Sequence, residues 1–139
     1  MTAKDFLSEF NKLHVLIKNK LIEKRQWQEF AQSVTAPMDG ERVQTSSDPQ
    51  RMAEAIALYT DIEKEIDRDV RNLREKQKDI LAVIEQLDTE EYDFLHAVYI
   101  QHLTLSDVAE KRGNSYSWAT TMHGTALAKV QRLLNEKKC

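Results

Sequence analysis

Met52, Tyr59, Ile66, Leu73, Ile80 and Leu87 stand seven residues apart through six successive positions. An apolar repeat of seven keeps one stripe of an α-helix turned toward a partner helix, so this segment cannot bury its stripe alone. Ile56, Val70 and Ile84 occupy alternate places of a second seam, and Glu63 and Gln77 hold the places between them. Asp48 and Pro49 suit the cap and first turn of this helix. About 38 residues at about 1.5 Å each make a rod of roughly 55 Å.

A second amphipathic pattern lies upstream. Phe6, Phe10, Leu13, Ile17, Leu21, Trp27 and Phe30 recur at helical steps between Ala3 and about Ser33. The stretch from Val34 to Gln50 collects both prolines and one glycine among small polar residues, and reads as a flexible connection at about 35–49. Two arrangements satisfy the seam: an antiparallel hairpin within one chain, or a coiled coil between chains. Lys20 and Lys24 on the first helix, with Glu63 and Gln77 on the seam, weaken a strict coil and can set its register.

Only three glycines and two prolines occur in 139 residues, far below the roughly 7% and 5% of average usage. That excludes turn-rich sandwiches and barrels and a glycine-rich phosphate cradle, and an all-α fold is expected. The apolar runs are far shorter than the roughly 18 residues that span a bilayer. The first residues lack the basic, apolar, small-residue order of a signal peptide, so a cytoplasmic protein is expected. A lone Cys139 permits no intrachain disulfide and no paired-cysteine zinc site.

The net charge of −3 gives no blanket attraction to nucleic acid, but its distribution is uneven. Residues 88–110 carry six acids and no Lys or Arg, whereas 111–139 carry six bases against Glu136. In the acidic half, Asp88 stands three before Glu91, as in a capping box, ahead of Phe94, Leu95, Val98 and Tyr99. After a break at Gln101–Leu103, Thr104 caps a short helix to Arg112 with Leu105, Val108 and Ala109 on one side, and Gly113 ends it. Ser115 caps a longer helix carrying Ala119, Met122, Ala126, Leu127, Val130, Leu133 and Leu134. Short helix, glycine turn and longer helix is the layout of a helix-turn-helix. The expected organisation is a helical hairpin over 1–87 and a three-helix head over 88–135.

Leu103-Thr104-Leu105-Ser106-Asp107-Val108-Ala109-Glu110-Lys111-Arg112-Gly113, followed by Ser115 and by Met122-His123-Gly124-Thr125-Ala126-Leu127-Ala128-Lys129, resembles region 4 of bacterial sigma factors. The match covers about a third of the chain. With the preceding hairpin and linker, the whole is similar, more loosely, to small sigma-like regulators encoded by phages of Gram-positive bacteria. The resemblance implies a transcription regulator that binds double-stranded DNA. Ser115, Tyr116, Ser117, Thr120 and Thr121 would lie in a major groove, and Lys111, Arg112, Lys129 and Arg132 would neutralise phosphates. The family commonly places Arg or Lys where this chain has Thr120, Thr121 and Gly124, and a small polar residue where it exposes Trp118.

RNA polymerase is a further expected partner, and the hairpin could join two copies into a homodimer. The alternative readings are a module that binds a host protein without touching DNA, and a small DNA-packaging subunit. His14, His96, His102 and His123 are not spaced as metal ligands on one helix, and His123 matches the family's packing histidine. No nucleophile elbow, phosphate loop or HExxH motif is present, so neither catalysis nor a cofactor is expected.

Overall fold

A computed structural model describes residues 1–35 and 49–137, which form helices and turns with no strand among them. The chain is all-α. The residues read above as a linker between 36 and 48, the cap at Asp48 and the thiol of Cys139 lie outside the described residues. The helices are α1 (Ala3–Thr35), α2 (Pro49–Ile84), α3 (Thr89–Leu95), α4 (Leu105–Lys111) and α5 (Tyr116–Lys137); α3 runs directly into a π-helical turn at His96–Ile100.

The described residues divide into two compact units. One is Val15–Arg71; the other joins Met1–His14 to the chain from Asn72 onward. The head's unit thus also takes in the first turns of α1 and the last of α2.

Within Val15–Arg71, α1 and α2 run antiparallel: Lys20 pairs with Glu65 at 3.2 Å and Asp69 at 2.6 Å, and Lys24 with Glu63 at 3.0 Å. The apolar seam is thin, with Ile17, Ala31, Ala55 and Ile66 buried along it. Asp69 is only 6% exposed, and its hydrogen bond to Lys20 is the main cause that raises the ammonium's pKa. The polar residues on the seam therefore meet charge with charge, which fixes the helix register more than it adds stability.

The other unit holds the larger core. Leu7 and Phe10 of α1 and Ile80, Val83 and Ile84 of α2 cluster with Phe94, Leu95, Val108, Ala119, Ala126 and Val130. The Ala3 amide donates to Gln131 Oε1 at 2.8 Å. Lys76 pairs with Glu9 and lies over the Phe6 ring at 5.8 Å, a cation–π distance. Helix α2 stops three residues before the last repeat position. Glutamine 86 and Leu87 tighten to i−3 bonds on Val83 and Ile84, and the Gln86 side-chain amide takes the Ala82 carbonyl.

The expected capping box at α3 is absent, because Asp88 makes no side-chain cap and Glu91 is turned to Lys129 instead. At α4 the box is complete. Thr104 Oγ1 accepts from the Asp107 amide at 3.0 Å, and Asp107 Oδ2 accepts from the Thr104 amide at 3.0 Å. That backbone bond is the main cause that lowers the Asp107 pKa.

Two outcomes follow for unfolding experiments. Replacing Thr104 by Ala removes one half of the box and lowers stability by about 1 kcal/mol. Since the folded state holds the Asp107 pKa down, its charge stabilises above the ordinary carboxylate value of about 3.9 and stops doing so as pH falls through the lower folded value. Urea melts of wild type and Asp107→Asn should therefore differ near neutrality and converge in acid. In the longer helices, Lys20→Ala should destabilise more than the double variant Lys20→Leu/Asp69→Leu, because the single change strands a buried carboxylate. Thermal melts that rank the double variant lower would overturn that account.

Candidate nucleic-acid interface

Four residues turn the chain from α4 into α5. Gly113 takes φ +66°, its amide donates to the Glu110 carbonyl at 3.1 Å, and the Asn114 amide reaches back to Ala109 at 2.8 Å. A left-handed residue at this place costs glycine almost nothing and other residues about 1 kcal/mol or more. Ser115 Oγ then accepts from the Trp118 amide at 3.1 Å, which starts α5. Helices α4 and α5 pack on one another, and the residues buried there are small or branched: Val108 and Ala109 on α4, Ala119, Ala126 and Val130 on α5.

Burial of Ala119, Ala126 and Val130 leaves the opposite side of α5 to solvent. Ser117 and Thr121 lie on that side with Thr120 at its edge, and Tyr116, three residues before the buried Ala119, is 57% exposed as the first residue of the helix. Gly124 continues the same face one turn on, and a Cβ built there meets nothing within 4 Å. Ser115 is exposed at the cap. The Thr120 hydroxyl donates to the Ser117 carbonyl at 2.9 Å, so its oxygen remains an acceptor toward any ligand. From Tyr116 to Ala128 α5 holds no Asp, Glu, Lys or Arg.

The four bases expected at phosphates divide into two pairs. Lys111 and Arg132 are exposed. Arg112 and Lys129 are committed within the fold: Arg112 pairs with Asp93, and Lys129 Nζ lies 2.9 Å and 2.8 Å from the two oxygens of Glu91. Glu91 is only 6% exposed. Its hydrogen bond is the main cause of the raised Lys129 pKa, and its bond to Asp88 the main cause of the lowered Asp88 pKa. Withdrawing Lys129 to a phosphate would leave the Glu91 carboxylate buried and unpaired. Arg132 shares a cleft with Asp88, Glu91 and Lys129.

Trp118, expected to be exposed, is half-buried, with its ring edge-on to Phe94 at 5.8 Å between centroids. The adjoining aromatic, Phe94, also lies 6.3 Å from His123. His123 Nε2 is hydrogen-bonded to the Tyr99 hydroxyl at 2.6 Å and the rings stack at 5.8 Å. Burial pushes Tyr99 up to about 12 and lowers the His123 pKa.

Sequence spacing gave no sign of three of these features. Glu91 and Lys129 are 38 residues apart, and Asp93 and Arg112 are 19 apart, so no helical period joins them. His14 and His102 come from different elements, yet their rings stand 4.5 Å apart beside Phe10. Burial is the main cause that lowers the His102 pKa, with a smaller contribution from His14, and the residue itself sits at φ +61°. Among the described residues no group of three or more His, Cys, Asp or Glu is placed to hold a metal ion, and no helix is long and apolar enough to cross a membrane.

Comparison with known proteins finds no match to a family model, a curated protein or a solved structure.

Proposed function

We propose that the protein is a sequence-specific DNA-binding transcription regulator that reads a major groove through the exposed face of α5. The observation that carries this reading is the capped start of α5, where Tyr116, Ser117, Thr120 and Thr121 share an exposed face free of acidic side chains. Hydroxyls can donate to or accept from base edges, the thymine methyl can pack on threonine, and the amides of a helix N-terminus favour phosphate. The preceding short helix and glycine turn have the layout in which a helix-turn-helix presents its second helix. Lys111 and Arg132 are the bases left to contact phosphates, so binding is weak in charge and shallow in salt dependence. The resemblance to sigma region 4 supports the same reading and makes RNA polymerase a natural second contact.

One observation favours the second reading, a module that docks a host protein without DNA. Arg112 and Lys129, which would otherwise add to phosphate affinity, are held by Asp93 and Glu91.

Selection from a random duplex library at near-physiological salt separates the two. A DNA reader enriches one sequence, and Tyr116→Ala/Thr121→Ala loses that enrichment at a cost of about 1–3 kcal/mol per base contact removed. Gly124→Arg sets a cation on the open part of the face, so it should tighten binding to any duplex and steepen the salt slope by about one ion. Gly124→Ala, the control, should leave DNA affinity alone and raise stability by roughly 0.5–1 kcal/mol, since glycine is costly inside a helix. Folded protein that enriches nothing would sink the DNA reading and direct the search to host proteins.

A further inference from the structure

The Val15–Arg71 unit leaves one of its faces unsatisfied in a way that specifies what should cover it. On α2 the second seam, Ile56, Glu63 and Val70, lies beside the buried seam, with Ile56 38% and Val70 46% exposed. Ile56 borders a surface groove with Met52 and Tyr59 of α2 and Gln28 and Gln32 of α1. Seven residues before Gln28 and Gln32 on α1 come Leu21 and Arg25, and seven before Arg25 comes Lys18. A spacing of seven returns nearly to the same side of a helix, so Lys18, Leu21 and Arg25 share the face that Gln28 and Gln32 occupy. Leu21 is 49% exposed, and Lys18 and Arg25 are exposed.

The face is thus basic around Leu21 on α1 and acidic on α2, where the exposed Asp67, and Glu63, which pairs with Lys24 of its own chain yet keeps 53% of its side chain exposed, precede Val70. Over their whole lengths in this unit the helices differ in the same sense. Residues 15–35 hold four bases and two acids, whereas 49–71 hold four bases and six acids. Such a face is complementary to itself after a two-fold rotation.

We infer that a second copy of this chain covers it, with α1 of each copy laid on the Ile56–Val70 seam of the other. Lys18 and Arg25 of one copy then meet Asp67 and the exposed part of Glu63 of the other, and Leu21 packs against Val70. Two helices about 10 Å wide over a length near 28 Å bury about 1,100 Å² in all, above the roughly 1,000 Å² that a specific interface needs. The thin seam of this unit makes such cover necessary, because two helices with so few buried side chains are marginal alone. The inference goes beyond DNA reading, since the pairing needs no DNA.

Sedimentation equilibrium of the full chain across micromolar to submillimolar concentrations tests it. The mass should rise from 16.2 kDa to twice that value. Lys18→Glu/Arg25→Glu should weaken association at least tenfold, as should Asp67→Lys, which leaves the Lys24–Glu63 pair within the chain intact, with helical circular dichroism unchanged. Mixed in equal amounts, the two charge variants should restore a dimer, because each α1 then faces an α2 of opposite charge. Leu21→Lys should also abolish association, whereas Trp27→Glu, which falls in a different groove with Phe30 and Leu58, should not. A mass of 16.2 kDa at every concentration, a higher oligomer, or a dimer indifferent to these charges would each overturn the inference.

Discussion

The packing around Phe94 decides where the solvent-facing side of α5 can be. This ring is fully buried, takes the edge of Trp118 from the first turn of α5 and approaches His123 from the second. Tyr99 holds His123 from the other side. Three aromatic contacts within two turns fix the rotation of α5 about its own axis, and a helix has no further freedom in which residues it shows to solvent. Ser115 fixes where the helix begins, and Gly113 sets the angle at which the chain enters. The exposed face of Tyr116, Ser117, Thr120 and Thr121 is what remains once those constraints are met.

Charge in the head is used mainly to hold it together. Lys129 compensates a buried carboxylate, and removing one partner of such a pair costs far more than an exposed phosphate contact gains. Arg112, the residue that ends α4, is drawn to Asp93 of α3. The polarity of the sequence between 88–110 and 111–139 therefore has an internal explanation: acids of α3 face bases that come later in the chain. A polarised sequence is easily read as an electrostatic footprint for nucleic acid, but here two of the four candidate bases are already neutralised.

The features set by short-range chemistry were legible in the sequence. Thr104, Gly113 and Ser115 act at their own positions through their own side chains or φ, so residue type alone identifies them. The heptad of α2 announced a helix that needs a partner, and Lys20, Lys24 and Glu63 marked the register at which α1 meets it. Long-range pairings were not legible. Nothing local separates a Glu91 that caps its own helix from one that turns to Lys129, and the second outcome wins because it satisfies two charges at once. The π-helical turn at His96–Ile100, with the Gln101 amide bonded to the His96 carbonyl at 3.0 Å, has no sequence marker either. Leu7 and Phe10 gave a helical period but not their destination in the core of the head.

On the proposed reading, a DNA-contacting face without charge and a pairing of two chains through the Val15–Arg71 unit would answer one another. A helix that reads bases through hydroxyls, with few free cations beside it, gains little non-specific affinity, so a single head would hold DNA only weakly and release it quickly. Joining two heads makes the second contact intramolecular, at an effective concentration on the order of 1 mM for a short link, and multiplies affinity by roughly a hundredfold or more without adding any charge. Affinity gained in this way is selective, because it requires two correctly spaced sites rather than any stretch of phosphates. Under the proposed function, a chain whose net charge is −3 would be specific for DNA without being attracted to all of it.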